Sequence, residues 1–155
     1  MLFRSACHPH DPGVPEDKPL RQNYCVLGTI PGLQKFVSIM ENPYHCLNFC
    51  QGTISEMCRD PKTEIIEAIR YFGERQKIVM VHFRNIRGRI MDFDEVYPDE
   101  GDVDMLEAAR AYVAAGVDCM LCPDHVPQSD VDPGGERQFS FCLGYTRAIL
   151  QAANA

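Results

Sequence analysis

Positive charge is scarce in this sequence: 15 Lys and Arg stand against 22 Asp and Glu, leaving a net charge of -7. That balance argues against a nucleic-acid partner, because an acidic surface repels phosphates. The nearest thing to a basic cluster, Arg84, Arg87 and Arg89, is too small to reverse it. Long apolar runs are missing as well; none approaches the ~18 residues that a membrane span requires. Met1 runs straight into Leu2, Phe3 and Arg4 without the layout of a signal peptide. The expectation is a soluble, cytoplasmic chain with no membrane partner. A second CxxC is also lacking, so Cys119-x-x-Cys122, which has the spacing of half a zinc knuckle, finds no complement to make four ligands. The 8 cysteines therefore read as free thiols in a reducing compartment. Cys46, Cys119 and Cys142, each in an apolar stretch, read as small buried hydrophobes.

What is present is an ordinary globular composition, 45% hydrophobic and 24% charged over 155 residues, enough for one domain with a sizeable core. A short apolar run followed by a loop and an amphipathic stretch recurs along it. Leu2 to Cys7 is the first run; a Pro-rich polar loop (His8 to Asn23) and a helical pattern from Pro31 to Glu41 follow. Cys46 to Cys50 leads to a loop and a helix over Thr63 to Glu74. There Ile65, Ile66, Ile69 and Phe72 recur at helical spacing while Glu64, Glu67 and Arg70 face away. Lys77 to Phe83 is the clearest strand. A long charged loop separates it from a helix over Val103 to Ala115, with Asp102 as its N-cap and Gly116 at its C-terminal end. Asp118 to Cys122 and a helix from Phe139 to Ala153 complete the series.

Strands alternating with helices at this interval imply βαβ units and a parallel sheet. Four such units make either a small doubly wound sheet or half of an eight-stranded barrel, since a full TIM barrel needs about 250 residues.

The chemistry stands where the runs stop. His8, Cys50, His82 and Asp124 each follow or close one of the four apolar runs. In α/β folds sites form at the C-terminal strand edge, where loops vary over a rigid base. Residues 78, 80, 82 and 84 share one face of the third strand, so His82 and Arg84 are expected to point together into the mouth. Cys46, Asn48 and Cys50 share a face of the second in the same way. Any one of these alone reads more simply as a core thiol, a hydrogen-bonded imidazole or a turn carboxylate. Four at successive strand ends point to one shared sphere of two imidazoles, a thiolate and a carboxylate, suited to Mn²⁺, Fe²⁺, Co²⁺ or Zn²⁺.

The local sequences resemble those of mannonate dehydratases. Cys7-His8-Pro9-His10-Asp11-Pro12-Gly13-Val14-Pro15 is similar to their His-Pro-Asp-Asp-Pro-Pro-x-Pro segment, and Cys50-Gln51-Gly52 to their Cys-Gln-Gly. Phe72-Gly73-Glu74-Arg75, Val81-His82-Phe83-Arg84-Asn85, Glu100-Gly101-Asp102-Val103-Asp104-Met105 and Pro123-Asp124-His125 follow in the family's order. The resemblance implies a TIM barrel of the xylose-isomerase-like kind, with residues 1–155 forming one partial barrel domain, barrel strands 5–8 with their helices. It implies dehydration of D-mannonate to 2-keto-3-deoxy-D-gluconate with Mn²⁺. His8, Cys50, His82 and Asp124 are then the implied metal ligands, His125 the acid/base residue, and Arg84 and Asn85 the groups near the oxygens of a small sugar-acid substrate.

Two departures stand out: Gly135 occupies the position of a tyrosine implicated in catalysis, and His10 stands where an Asp is usual. Tyr145 falls within the last helix and does not replace that tyrosine. A half-barrel is expected to pair its open edges, with a second copy or with a complementary N-terminal half-barrel. Rival readings are a metal-dependent sugar isomerase or epimerase on the same barrel, and a catalytically silent half that serves as an assembly partner.

Overall fold

The computed structural model describes residues 3–14 and 25–155. Leu2 and most of the Pro-rich loop lie outside the described residues. The chain runs through β1 (Ser5–Cys7), a 3-10 turn (Val26–Gly28), α1 (Ile30–Ser38), β2 (His45–Cys50), α2 (Gln51–Met57) and α3 (Pro61–Glu74). It continues through β3 (Ile78–His82), β4 (Asn85–Arg89), β5 (Asp92–Val96), α4 (Met105–Ala114), β6 (Leu121–Cys122) and α5 (Glu136–Ala153). Strands β1, β2, β3 and β6 form a parallel sheet in that order, while β4 and β5 pair as an antiparallel hairpin. The fold is thus α/β, with helices between parallel strands.

The core lies between the sheet and helices α3 and α4. Leu47, Phe49, Val81 and Phe83 meet Ile65, Ile69, Phe72, Ala108 and Tyr112 there, all buried. Helix α3 turns Ile65, Ile66, Ile69 and Phe72 inward while Glu67 and Arg70 stay exposed, as its spacing predicts. Burying one Ile or Phe side chain stabilises by about 1.5–3 kcal/mol, so these few residues fix the helix against the sheet.

Several boundaries differ from the sequence reading. Helix α1 ends at Ser38 rather than Glu41, because Ile39 and Met40 stand exposed and Pro43 follows. Its start is held by Thr29, whose hydroxyl accepts from the Gly32 N–H at 3.0 Å. Helix α3 begins two residues early at Pro61, the position where a missing N–H costs nothing. The N-cap of α4 is Asp104 and not Asp102: Asp104 Oδ1 accepts from Leu106 N and Glu107 N at 2.9 and 3.0 Å. Asp102 instead accepts from Gly88 N at 2.8 Å and ties its loop to the hairpin. Strand β6 shrinks to Leu121 and Cys122, although Met120 also accepts from Val81 N.

Two elements are additions. Helix α2 starts directly at Cys50 and is buried from Gln51 through Glu56. Its residues are mostly polar, Gln51, Thr53, Ser55 and Glu56 among them, so it has no apolar stripe for a helical period to reveal. The β4–β5 hairpin fills the long charged loop. Its two-residue connection, Ile90-Met91, lacks the Asn-Gly type of signal and instead puts Met91 at φ 64. Among the described residues, no helix is long and apolar enough to cross a membrane.

Candidate metal centre

Parallel register sets the height of each side chain. Cys50 pairs with His82 across β2 and β3, and His82 pairs with Cys122 across β3 and β6. Asp124 follows two residues beyond β6, and His8 one residue beyond β1. The result is that one ligand-competent atom from each of His8, Cys50, His82 and Asp124 lies within 4.8 Å of all the others. The cluster includes neither Cys119 nor Cys122, and all 8 cysteines are free.

The electrostatics suit a cation. Burial pushes the Cys50 thiol up, but the neighbouring His8 and His82 imidazoles, the charge of Arg84 and the Thr53 hydroxyl outweigh it and bring the thiol down to about 5. Thr53 Oγ1 donates to Cys50 Sγ at 3.1 Å. The His8 imidazole is raised to about 8, chiefly by its bond to Cys50, against burial that lowers it. In the absence of a metal the pair is therefore an imidazolium against a thiolate.

The donor atoms themselves pass a test of fit. His82 Nδ1 is buried and 3.0 Å from Asp124 Oδ2, yet their geometry makes no hydrogen bond. The two atoms converge on common space, which a cation can share once Nδ1 carries its lone pair. His8 Nδ1 donates to the Pro9 carbonyl at 2.6 Å, which leaves Nε2 facing Cys50. On His82 the other ring nitrogen, Nε2, sits 2.9 Å from Asn48 Nδ2, while Asn48 Oδ1 is buried without a partner. Rotating that amide by half a turn offers Oδ1 to an Nε2–H. That is the tautomer a metal on Nδ1 demands, and ligating histidines are normally held in this way.

Arg84 and Asn85, expected near substrate oxygens, are both buried and held by other groups of the protein. Arg84 is 2% exposed, and its guanidinium is engaged by protein. Nη1 donates to Glu95 Oε1; Nη2 donates to Thr53 Oγ1 at 2.9 Å and pairs with Glu56 and Asp11, each at 3.4 Å. It organises carboxylates beneath the site, and its buried Nε has no partner. Asn85 is 1% exposed and staples the loop before α4: Nδ2 donates to the carbonyls of Pro98 and Val103, and Oδ1 accepts from Ile86 N and Val103 N. Both lie beyond the strand, because β3 ends at His82 and the chain turns into the hairpin.

The motif glycine Gly52 acquires a reason from the same arginine. A Cβ on Gly52 would lie 2.7 Å from Arg84 Cζ and Nη1, so only glycine admits the guanidinium over α2. Gln51 beside it is fully buried, accepting from Tyr112 Oη at 3.1 Å.

His125 stands at the mouth, its side chain 46% exposed. Its Nδ1 is 2.8 Å from Glu95 Oε1 and its Nε2 3.4 Å from Asp124 Oδ2. Glu95, Asp124, His125, Val126, Pro127, Gln128 and Phe139 line a cleft of about 320 Å³. His10 turns outward, its Nδ1 2.9 Å from the Pro12 carbonyl. Gly135 begins α5 at φ 72, and Tyr145 packs against the core from within that helix.

Two carboxylates of the site were not anticipated. Glu56 is fully buried on α2, where Oε2 accepts from Gly13 N at 2.9 Å; burial, opposed by that bond, raises its carboxyl to about 7. Glu95 lies on β5, where Phe93 and Glu95 are partly buried while Asp92 and Asp94 are exposed, an alternation that turns an acid inward once the hairpin forms.

Comparison with known proteins identifies the family. The mannonate dehydratase of Thermotoga maritima is 27% identical over 128 residues, covering 77% of this chain and 32% of that protein. The mannonate dehydratase of Endomicrobium trichonymphae is 30% identical over 131 residues, covering 79% of this chain and 32% of its own length. The crystal structure of mannonate dehydratase from Streptococcus suis serotype 2 superposes with a TM-score of 0.80 at 20% identity, over 97% of this chain and 43% of that one. The chain thus spans about a third of the length of the curated relatives it matches. The family model described as D-mannonate dehydratase (UxuA) matches residues 2–152, and the chain belongs to that family.

Proposed function

We propose that this chain is the metal-holding C-terminal part of a mannonate dehydratase, barrel strands 5–8 of a TIM barrel, in which the full site converts D-mannonate to 2-keto-3-deoxy-D-gluconate and water. The observation that carries the proposal is the convergence of His8, Cys50, His82 and Asp124 within 4.8 Å in a member of this family. These four residues would hold a divalent cation; the mixed N, S and O donors suit Mn²⁺, with Fe²⁺, Co²⁺ or Zn²⁺ also compatible. When bound, such an ion supplies Lewis acidity toward carboxylate and hydroxyl oxygens.

The chain's own residues supply the rest. His125, half exposed at the cleft, is placed to move a proton at its Nε2, as an imidazole does near neutral pH. Arg84 acts from below, holding Glu95 and Glu56 in place rather than clamping the substrate. The hydroxyl that leaves the neighbouring carbon needs a general acid. No tyrosine lines the cleft among the described residues, and Gly135 holds the position where the family usually has one.

That substitution favours a second reading, in which the chain keeps the metal cradle and contributes no turnover by itself. One assay separates the two. The chain is loaded with Mn²⁺, given D-mannonate, and the 2-keto-3-deoxy product is followed over a range of protein concentrations. A rate that climbs faster than protein concentration and disappears in His125→Ala supports the dehydratase. Metal retained with no product at any concentration supports the silent cradle and sinks turnover by this chain. Release of an isomerised or epimerised acid would point to the isomerase reading instead.

A further inference from the structure

Glu95 reaches the site from the β4–β5 hairpin, not from the parallel sheet. One of its oxygens, Oε1, meets both Arg84 Nη1 and, at 2.8 Å, His125 Nδ1. Arg84 cannot follow the histidine outward: it is 2% exposed and fastened by Thr53, Glu56 and Asp11 on its other nitrogen. Oε1 is therefore fixed by the anchored guanidinium and still accepts from His125, while the buried Oε2 has no partner. His125 lies in the loop after β6 with its side chain 46% exposed, where an imidazole left to itself would rotate freely.

We infer that Glu95 is a positioning residue: anchored by Arg84, it holds His125 with the proton on Nδ1 and presents bare Nε2 to the cleft beside Asp124. Which ring nitrogen carries the proton is set by the hydrogen bond that the other nitrogen makes. A carboxylate oxygen only accepts, so the nitrogen it faces must be the donor. The opposite tautomer has its own partner at hand, because Nε2 is 3.4 Å from Asp124 Oδ2 and could donate there. Glu95 decides between the two. A base that must take a proton from substrate in the cleft needs Nε2 bare, and a ring bonded to Asp124 through Nε2–H has no base to offer. The inference rests on the proposed role of His125 and adds the residue that makes that role possible.

The test reads the ring rather than the reaction. The full chain is prepared with ¹⁵N-labelled histidine and diamagnetic Zn²⁺, and its ring nitrogens are observed at a pH where His125 is neutral. His125→Ala supplies the assignment. The expected result is an Nδ1–H signature for His125 in the parent chain and its loss in Glu95→Ala, where the ring shifts toward Nε2–H. Glu95→Gln is expected to retain the signature, because Arg84 draws the amide oxygen into the place of Oε1. Unchanged His125 signals in Glu95→Ala would overturn the inference. So would equal movement of the His8 and His82 signals, since Glu95 would then be supporting the whole site. The failure modes separate: a chain that holds the tautomer through Glu95 but consumes no mannonate loses the dehydratase reading, and this reading of the ring stands.

Discussion

At the scale of single residues, the candidate metal centre depends on groups that never touch the ion. Asn48 faces His82 Nε2 from the neighbouring strand at 2.9 Å, and its orphaned Oδ1 is relieved only by an Nε2–H. Asn48→Ala is therefore expected to weaken Mn²⁺ binding by roughly 10–100-fold, the usual effect of losing the partner of a ligating histidine. Competition with a chelating dye measures it, and unaltered affinity would refute the assignment. Gly52 gives a second case. Gly52→Ala would set a Cβ 2.7 Å from the buried Arg84 guanidinium, which has no vacant side to move into. The expected cost is about 1–3 kcal/mol, as for other overpacked interiors, read from the urea midpoint. Of the candidate site, the four converging residues were legible because each sits where an apolar run ends; His125 was marked only by the resemblance of its Pro-Asp-His segment. What holds Arg84 and Asn85 was not legible, because face alternation holds only while the strand continues.

Among the elements, the helix boundaries separate two aspartates that the sequence makes look alike. Asp104 caps α4 through two backbone N–H groups, whereas Asp102 holds Gly88 of the hairpin. Asp104→Ala should cost about 1 kcal/mol of stability and speed amide exchange in the first turn of α4. Asp102→Ala should leave that turn protected and loosen Gly88 instead. Equal exchange of the α4 first turn in the two variants would contradict this division. The hairpin and α2 were not legible at all. One has no Gly or Asn at its turn, and the other has no apolar stripe; each is fixed by what packs around it.

Across the whole molecule, Glu56 couples the site to pH. Its carboxyl is raised from an ordinary 4.5 to about 7, chiefly by burial. The folded chain then binds that proton more tightly than the unfolded chain. The contribution to stability is complete below about 4.5 and is lost as pH climbs through about 7. Glu56→Gln should flatten the fall in stability between those limits, measured by urea unfolding at a series of pH values; an unchanged slope would show that Glu56 does not carry it. The sheet has a further consequence. Among the described residues β1 and β6 each pair on one side only, and Met120, Phe139, Phe141 and Leu143 are exposed nearby or on α5. The isolated chain is expected to self-associate through such surfaces. Light scattering at micromolar concentration should give a mass above 17.5 kDa, and a monomeric mass would end that expectation.

By itself the sequence determined the alternation of strands and helices, the faces of α3, and which four residues were candidates for a metal site. Those follow from local periodicity and from motifs whose spacing is short. Only the tertiary structure decided that the four donors meet, since their convergence depends on parallel register between strands far apart in the chain. It also decided that Arg84 lies beneath the site with Glu56, Glu95 and Asp11 around it. Ion pairs among buried groups are chosen by which loops come to lie together, and no local pattern in the chain records that choice.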